Sequence, residues 1–264
     1  PAAVEWAACH RGVVGGVEYR WANYIHLRVA DKHQGKGLWG ALVGKLKESC
    51  DAKVDQGYQC AARDNAAIQR AFKDMPRWSV GPVRALIAAG ERTAVDPAVR
   101  KASPGDADLV AELINCTHGA QELYFPYTAQ SLNARLERAP ELYSWDQVWL
   151  TENAVVGVWP SGQQTTVIRE AAGNVSRSHH GLVLDYGFRP GAEAEFESLL
   201  RAWCGWLGVH GHTHLSIFSS EPAIGYGTIA RLAGQLEVFD IWTPPVAEPE
   251  GAATHGVYVD QVYF

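Results

Sequence analysis

Glycine and lysine are concentrated in one stretch near the start of the chain, DKHQGKGLWGALVGKLKE (31–48). Gly35, Gly37 and Gly40 lead into an amphipathic run, and Lys36 adds a positive charge. Glycine lets the backbone approach an anion without an intervening Cβ, and a helix N-terminus offers unpaired N–H groups and a positive dipole end. The stretch therefore predicts a phosphate-binding turn. A strand-to-helix connection that binds no ligand is the alternative interpretation.

Two known phosphate motifs can be compared with this turn. The sequence contains no Walker A pattern, GxxxxGK[ST]. Gly35 to Gly40 satisfy the GxGxxG pattern of dinucleotide-binding folds, and Asp55 stands near the position of the acid that binds ribose. However, Asp55 precedes the next predicted strand instead of ending it, which disfavours that ribose contact.

The elements that would position the turn follow from hydrophobic periodicity. Alternation predicts two adjacent strands at GVVGGVEYRW (12–21) and NYIHLRVA (23–30), and leucines at helical spacing predict a helix from about 38 to 54. The next elements are a strand at 57–62, a helix capped by Asp64 or Asn65, and a strand pair within 77–89.

The segment GERTAVDPAV (90–99) loses apolar periodicity and carries a proline, so it is the predicted linker. We expect one unit at 1–92 and a second at 98–264. In the second unit the pattern predicts a short strand and then a helix within VRKASPGDADLVAELIN (99–115), and further helices near 129–138, 192–207 and 224–233. It predicts strands within 147–159, where a turn falls at Glu152-Asn153, and at 165–170, 181–188, 212–220, 235–242 and 255–264. Both halves then share the order strand, helix, strand, helix, strand.

The stretch LRVADKHQGKGLWGALVGKLKE (27–48) resembles the coenzyme A signature of the GNAT superfamily of acetyltransferases. In that signature a strand ending in a Val-x-Pro-like step runs into Q/R-x-x-G-x-G/A and a helix. Val29, Gln34 and Gly37 match it, whereas Asp31 replaces the proline and Trp39 occupies the G/A position.

A second resemblance lies downstream, where NAAIQRAF (65–72) is similar to the N-x-x-A-x-x-x-Y helix of the same superfamily. The tyrosine of that helix often protonates the leaving thiolate. Phe72 stands in its place and has no proton to give, so the resemblance implies that another group or water is the acid, or that activity is impaired.

The resemblance implies an α/β (α+β) protein of two GNAT-like units, each a central mixed twisted sheet flanked by helices. It implies acetyl-CoA as co-substrate, no metal, and direct transfer of the acetyl group to an amine of a small molecule or a protein. The residues that it assigns to cofactor binding are Leu27, Val29, Gln34, Gly35, Lys36, Gly37, Leu38, Trp39, Gly40 and Asn65.

The second half lacks a matching phosphate turn. In DYGFRPGAEAEFESLL (185–200), Glu193, Glu195 and Glu197 fall in the first turns of the corresponding helix. Carboxylates there suit the helix dipole but repel a pyrophosphate. We therefore expect a degenerate unit that is structural or shapes the substrate site.

The first half is short for a complete unit of this fold, which should have a strand, two helices and another strand before residue 12. The chain begins at Pro1 without an initiator Met. Two explanations stay open: the first unit is truncated at its N-terminus, or the second half lends elements to it.

Acetyl transfer to an amine needs a base, a polarised thioester carbonyl and reactants held in contact. Glu18, Tyr24 and His26 on the two predicted strands are the candidate bases. Strand alternation predicts that Tyr24, His26 and Arg28 share one face. For each of them, a side chain at the surface or the edge of the core is the competing interpretation.

HGHTH (210–214) predicts three histidines on one face of a strand, and neutral imidazoles are common metal ligands. The string resembles the Gly-His-x-His end of metallophosphoesterases, but PGDAD (104–108) is a poor match to one of the further blocks that this family needs and the others are absent. We therefore expect His210, His212 and His214 at a cleft or an interface. Three functions remain: an acetyl-CoA-dependent N-acetyltransferase, a non-catalytic acyl-CoA-binding or scaffold protein, and a His-based metallohydrolase.

Composition narrows the class of protein. The chain has 264 residues, 47% hydrophobic, with a formal net charge of -6, which disfavours a nucleic acid or an anionic membrane as partner. Its five cysteines are scattered and form no CxxC pair, as in reduced cytosolic proteins. No run of about 18 apolar residues is present. A cytoplasmic protein is expected, and a homodimer is left open.

Overall fold

A computed structural model describes residues 3–50, 53–90, 98–161, 166–169, 175–243 and 248–259. The strands are β1 (Ala3–Val14), β2 (Val17–Val29), β3 (Gln56–Ala62), β4 (Arg77–Trp78), β5 (Val83–Ala88), β6 (Arg100–Lys101), β7 (Val148–Leu150), β8 (Ala154–Trp159), β9 (Thr166–Arg169), β10 (Val175–Ser178), β11 (His180–Phe188), β12 (His214–Ser219) and β13 (Gln235–Trp242). The helices are α1 (Leu38–Cys50), α2 (Ala66–Ala71), α3 (Ala107–His118), α4 (Ala129–Glu137), α5 (Glu193–Val209), α6 (Tyr226–Leu232) and α7 (Glu250–His255).

One continuous mixed sheet connects both halves of the chain. Its strand order is β1-β2-β3-β13-β5-β12-β11-β8-β7-β6, with β4 paired to β13, while β9 and β10 form a separate hairpin. The pairs β2–β3 and β11–β12 are parallel and the other pairs are antiparallel. The predicted mixed sheet with flanking helices is confirmed.

The two halves exchange the last strands that the structure describes in each of them. β13, from the end of the chain, lies between β3 and β5, and β5 lies between β13 and β12. Asp240 on β13 is completely buried and accepts from Arg63 Nε at 2.8 Å and Arg77 Nη1 at 3.1 Å, both in the first half. The second half therefore lends a strand to the first.

The second half also covers one face of the first. Trp21, Tyr58 and Trp78 form a buried cluster with Leu123 and Val257. Backbone bonds hold this contact, because Leu123 N donates to Val13 O at 2.7 Å and Val13 N donates to Tyr124 O at 3.0 Å. Leu123 adopts φ 67°, a left-handed conformation that is rare for a residue other than glycine.

The predicted strand at 12–21 is wrong. It is the end of β1, a hairpin turn and the start of β2, because Gly15 and Gly16 adopt φ 57° and 78°, the values of a tight two-residue turn. The predicted final strand at 255–264 is also not borne out where it is described. His255 ends α7 and Val257 forms a single bridge to Glu122, while residues 260–264 lie outside the described residues.

None of the helices in the described ranges is long and apolar enough to cross a membrane.

Candidate functional site

Strands β2 and β3 pair over a short distance and then separate. Their register runs from Trp21 with Gln56 to Tyr24 with Gln59, although β2 continues to Val29 and β3 to Ala62. On its other side β2 carries a bulge against β1, since Trp6 faces Ile25 but Val4 faces Arg28. The bulge inserts an extra residue, so β2 bends away from β3 and a gap opens between the two strands.

The glycine-rich turn lies directly beyond this gap. Gly35 and Gly37 adopt φ 73° and 70°, and a Cβ on either would meet no atom within 4 Å. The first amide of the α1 ladder in this region is that of Ala41, which donates to Gly37 O at 3.2 Å. The N–H groups of Leu38 to Gly40 precede it, and the first turn holds no acidic residue. The turn therefore has the open backbone and the unpaired helix N-terminus that an anion-binding turn requires.

Two of the three departures from the family pattern, Trp39 and Phe72, pack against each other. The rings of Trp39 and Phe72 lie 5.1 Å apart, and the Phe72 ring lies 5.6 Å from that of Trp242 on β13. We call these three residues the aromatic row. The Trp39 side chain is thus placed between α1 and the end of α2 by its contact with Phe72.

A cavity of about 360 Å³ lies beside the aromatic row. Helix α1 packs over β1 and β2, and Cys50 is the one residue of this helix that is buried. Gly57 makes room for the Tyr24 ring, because a Cβ there would lie 2.7 Å from Tyr24 Cε2. The lining residues are Glu5, Tyr24, Val43, Lys47, Val54, Asp55, Gln56, Gly57, Tyr58, Gln59, Phe72, Met75 and Trp242.

Sequence reasoning missed Glu5, a buried titratable residue of this cavity. Its side chain is 7% exposed, and neither carboxylate oxygen has a hydrogen-bond partner in the described part of the chain. Burial raises the pKa of Glu5 from 4.5 to about 7. The alternation of Val4, Trp6 and Ala8 was the available signal for a strand here.

Asn23, next to Tyr24 on β2, is a second buried polar side chain without a described partner. It is completely buried, and neither amide atom has a hydrogen-bond partner among the described residues. Buried polar groups of this kind are rare in folded proteins and mark places where water or a ligand belongs.

The candidate bases are brought together only in part. Tyr24 lines the cavity. Glu18 lies at the start of β2, about 20 Å along the strand from Tyr24, and pairs with Arg11 at 2.5 Å. The side chain of His26 lies outside the described residues. The bulge also interrupts the alternation that predicted one shared face for Tyr24, His26 and Arg28.

The structure gathers most of the predicted cofactor-binding residues around the turn. Gln34 Nε2 donates to Val29 O at 3.4 Å, which ties the turn to the end of β2. Asn65 instead caps α2, its side chain accepting from Ile68 N at 3.3 Å. The Leu27 side chain lies outside the described residues, although its backbone belongs to the bulged part of β2.

The corresponding turn of the second half is filled by the protein itself. Glu195 accepts from Thr151 Oγ1 at 2.5 Å and from Asn153 Nδ2 at 2.9 Å. The β11–β12 register ends at Leu182 with Ser216. Beyond this pair, the rings of Phe188 and Phe196 stack with their centres 4.7 Å apart. The Phe188 ring also packs closely on Gly225, since a Cβ on that glycine would lie 2.7 Å from Phe188 Cζ. The second gap is therefore occupied by side chains.

The three histidines of HGHTH do not share a strand face. His210 follows α5 and its Nδ1 lies 2.7 Å from Trp206 O, whereas His212 Nε2 lies 3.1 Å from Pro160 O. Only His214 belongs to β12, because Gly211 at φ 80° turns the chain between them. Among the described residues, no group of three or more His, Cys, Asp and Glu side chains is placed to hold a metal ion.

The sheet order, the separated parallel pair and the glycine turn that follows it define the GNAT fold. Two solved structures make the comparison concrete. The chain is similar to Saccharomyces cerevisiae N-myristoyltransferase with bound myristoyl-CoA, with a TM-score of 0.62, 13% identity, and coverage of 98% of this chain and 73% of that one. It is similar to a GCN5-related N-acetyltransferase from Sphaerobacter thermophilus, with a TM-score of 0.59, 13% identity, and coverage of 95% and 79%.

These likenesses confirm the fold that the coenzyme A signature predicted: the chain has the fold of the GNAT superfamily. No model of a protein family matches the sequence, and no curated protein matches it.

Proposed function

We propose that this protein is an acyl-CoA-dependent N-acyltransferase whose first half binds the acyl-CoA. The observation that carries the proposal is the open glycine turn, which follows directly on the gap between β2 and β3. The names of the two similar structures, an N-myristoyltransferase with bound myristoyl-CoA and an N-acetyltransferase, support the same class of reaction.

Each part of an acyl-CoA has a counterpart in this geometry. The pyrophosphate would accept from the N–H groups of Leu38, Trp39 and Gly40, with Lys36 adding charge. The pantetheine arm would enter the gap between β2 and β3. There the backbone of Ile25 to Val29 has left β3, so its N–H groups can polarise the thioester carbonyl.

Acetyl is the acyl group that we propose for transfer, with a small-molecule or protein amine as the acceptor. Holding the thioester in the gap leaves its carbonyl open to a nitrogen bound beside it, so the reaction gains the advantage of proximity. The candidate bases Tyr24 and His26 lie on β2 at this level of the sheet.

A second candidate function is acyl-CoA binding without catalysis. The specific observation in its favour is the aromatic row, because Phe72 is buried between Trp39 and Trp242 and cannot protonate a thiolate.

Calorimetric titration of acetyl-CoA into the wild-type protein, Gly37→Glu and Gly191→Glu tests the binding site. Gly191 is the matched control, since it has φ 88° in the turn before α5 and open space around it. Both variants carry the same backbone strain, but only Gly37→Glu puts a carboxylate beside the pyrophosphate. We expect about a hundredfold weaker binding for Gly37→Glu and no change for Gly191→Glu. Equal effects would contradict the proposed site.

Mass spectrometry then separates the two candidates. With acetyl-CoA and spermidine, tyramine, lysine amide or glycine amide, the enzyme should produce acetylated amine and coenzyme A in equal amounts. Binding without any product favours the non-catalytic protein. Thiol-specific dyes are unsuitable for this assay, because Cys9 and Cys116 are exposed.

A further inference from the structure

One carboxylate lines the cavity from β1, the strand that pairs with β2 on the side away from the gap. Glu5 lies on β1 next to Trp6, which pairs with Ile25, the residue that follows the last β2–β3 pair at Tyr24. Glu5 therefore sits at the level of the sheet where the two parallel strands separate, opposite the bulge in β2. It lines the same cavity as Tyr24 and Phe72.

No described group satisfies this carboxylate. The other titratable side chains that line the cavity are Tyr24 from β2, Lys47 from α1, and Asp55 and Tyr58 at and before the start of β3. Asp55 is engaged by Arg20 at 2.7 Å, and none of the four hydrogen-bonds to Glu5. A buried carboxylate without hydrogen-bond partners lowers the stability of the folded protein. Its presence in a cavity therefore indicates that it interacts with a ligand.

We propose that Glu5 is the general base that takes the proton from the acceptor amine. This inference rests on the proposed acyltransferase function. The ammonium group of the acceptor gives one proton to the Glu5 carboxylate, and its nitrogen then attacks the thioester carbonyl carbon. The C–N bond forms and the C–S bond breaks, with the electron pair leaving on the coenzyme A sulfur. The second proton of the nitrogen ends on that sulfur, and Glu5 returns its proton to solvent.

Burial raises the pKa of Glu5 into the range that suits a general base. A pKa near 7 leaves a substantial ionised fraction at neutral pH and makes the carboxylate a stronger base than an ordinary glutamate. The second half offers a contrast, because β8, which pairs with β11 as β1 pairs with β2, reads AVVGVW and holds no titratable side chain.

Steady-state kinetics on the full chain test the proposal through Glu5→Gln, Glu5→Asp and the control Glu137→Gln, an exposed glutamate on α4. Turnover is measured from pH 5.5 to 9 with the amines above, and also as acetyl-CoA hydrolysis, for which water is the acceptor. Wild-type kcat should rise with pH through about 7. Glu5→Gln should lower kcat by about a hundredfold and remove that inflection, with KM for acetyl-CoA within about twofold. Glu5→Asp should keep the inflection at reduced kcat.

Either of two results would overturn the role of Glu5 as the base. If Glu5→Gln keeps the wild-type rate and pH profile, Glu5 is a buried neutral side chain and the proposal is overturned. A 13C-carboxyl titration of the free protein gives an answer that needs no turnover: a Glu5 resonance that titrates near 4.5 overturns the proposal, and one near 7 supports it. If the wild-type protein does not bind acetyl-CoA, the proposed function itself is contradicted. Failure of the proposed base and failure of the proposed function are therefore distinguishable.

Discussion

The two halves contain the same strand, turn and helix, yet α1 and α5 use this unit in different ways. Helix α1 buries only Cys50 and begins at a turn with empty space around both of its positive-φ glycines. Helix α5 buries eight residues, and the gap beside it is packed with aromatic rings. The same fold element can thus leave an open turn in one half of a chain and be part of the hydrophobic core in the other.

The difference extends to charge. Helix α1 leaves its N-terminal dipole without a carboxylate, whereas α5 has Glu193 and Glu195 in its first turn. Glu195 also ties the helix to Thr151 and Asn153 in the turn before β8. The second half therefore carries its own anion where the first half has room for a bound one.

The largest expected effect concerns packing. Leu200→Ala on α5 removes a completely buried side chain and should cost about 3 kcal/mol of unfolding free energy. Leu42→Ala on α1 removes a half-buried one and should cost about 1 kcal/mol. Urea unfolding without ligand measures both. Equal losses would mean that α1 is packed as tightly as α5, and the contrast between the helices would fail.

The next effect concerns Glu5 in the protein without ligand. Its folded-state pKa of about 7 lies above the ordinary 4.5, so the folded protein binds the extra proton between these values and loses stability as pH rises through them. Glu5→Gln removes this loss. We expect the variant to gain stability relative to the wild type between pH 4.5 and 7, reaching about 3 kcal/mol at pH 8.

Thermal unfolding at pH 4 and pH 8 provides the check on Glu5. A stability difference between variant and wild type that is the same at both pH values would mean that burial does not perturb this carboxyl group.

The smallest expected effect is the loss of stability on removing Glu195, the carboxylate in the first turn of α5. Glu195→Ala should cost about 1.5 kcal/mol near neutral pH, because its bonds to Thr151 and Asn153 are lost. The bond from Thr151 lowers the pKa of Glu195, so this contribution is present above about pH 4.5 and is lost as pH falls below it. Glu193→Ala, at an exposed position in the same turn, is the control and should change stability by less than about 0.5 kcal/mol.

Much of the fold could be predicted from the sequence, because strand and helix periods are local. The spacing of leucines predicted α1, and QLEVFDIW coincides with β13. The partner of β13 could not be predicted, since nothing local in this strand indicates that it inserts beside β3. The aromatic row was missed for the same reason: Trp39 and Phe72 were each identified as departures, but their contact is tertiary.

The part of the candidate site that depends on backbone conformation could be predicted from the sequence, and the part that depends on burial could not. Glycines at 35 and 37 predict an open turn because their conformational freedom is a property of the residue type. Glu5 was overlooked because a glutamate in a sequence is charged and exposed by default, and only the tertiary structure encloses it. Glu18, the glutamate that sequence reasoning chose, is the exposed one.

The exchanged strands also have a consequence for how the chain reaches its native state. β3 cannot complete its pairing until β13 has been synthesised, because Cys60 pairs with Ile241. The long chain segment between these two residues has to close into a loop before they can pair, which costs conformational entropy. Proteins rich in contacts between residues far apart in the sequence fold slowly. Until then β3 and β5 present unpaired edges that other chains can join. We therefore expect that refolding from denaturant is slow, that its yield falls with protein concentration, and that the insertion of β13 controls both.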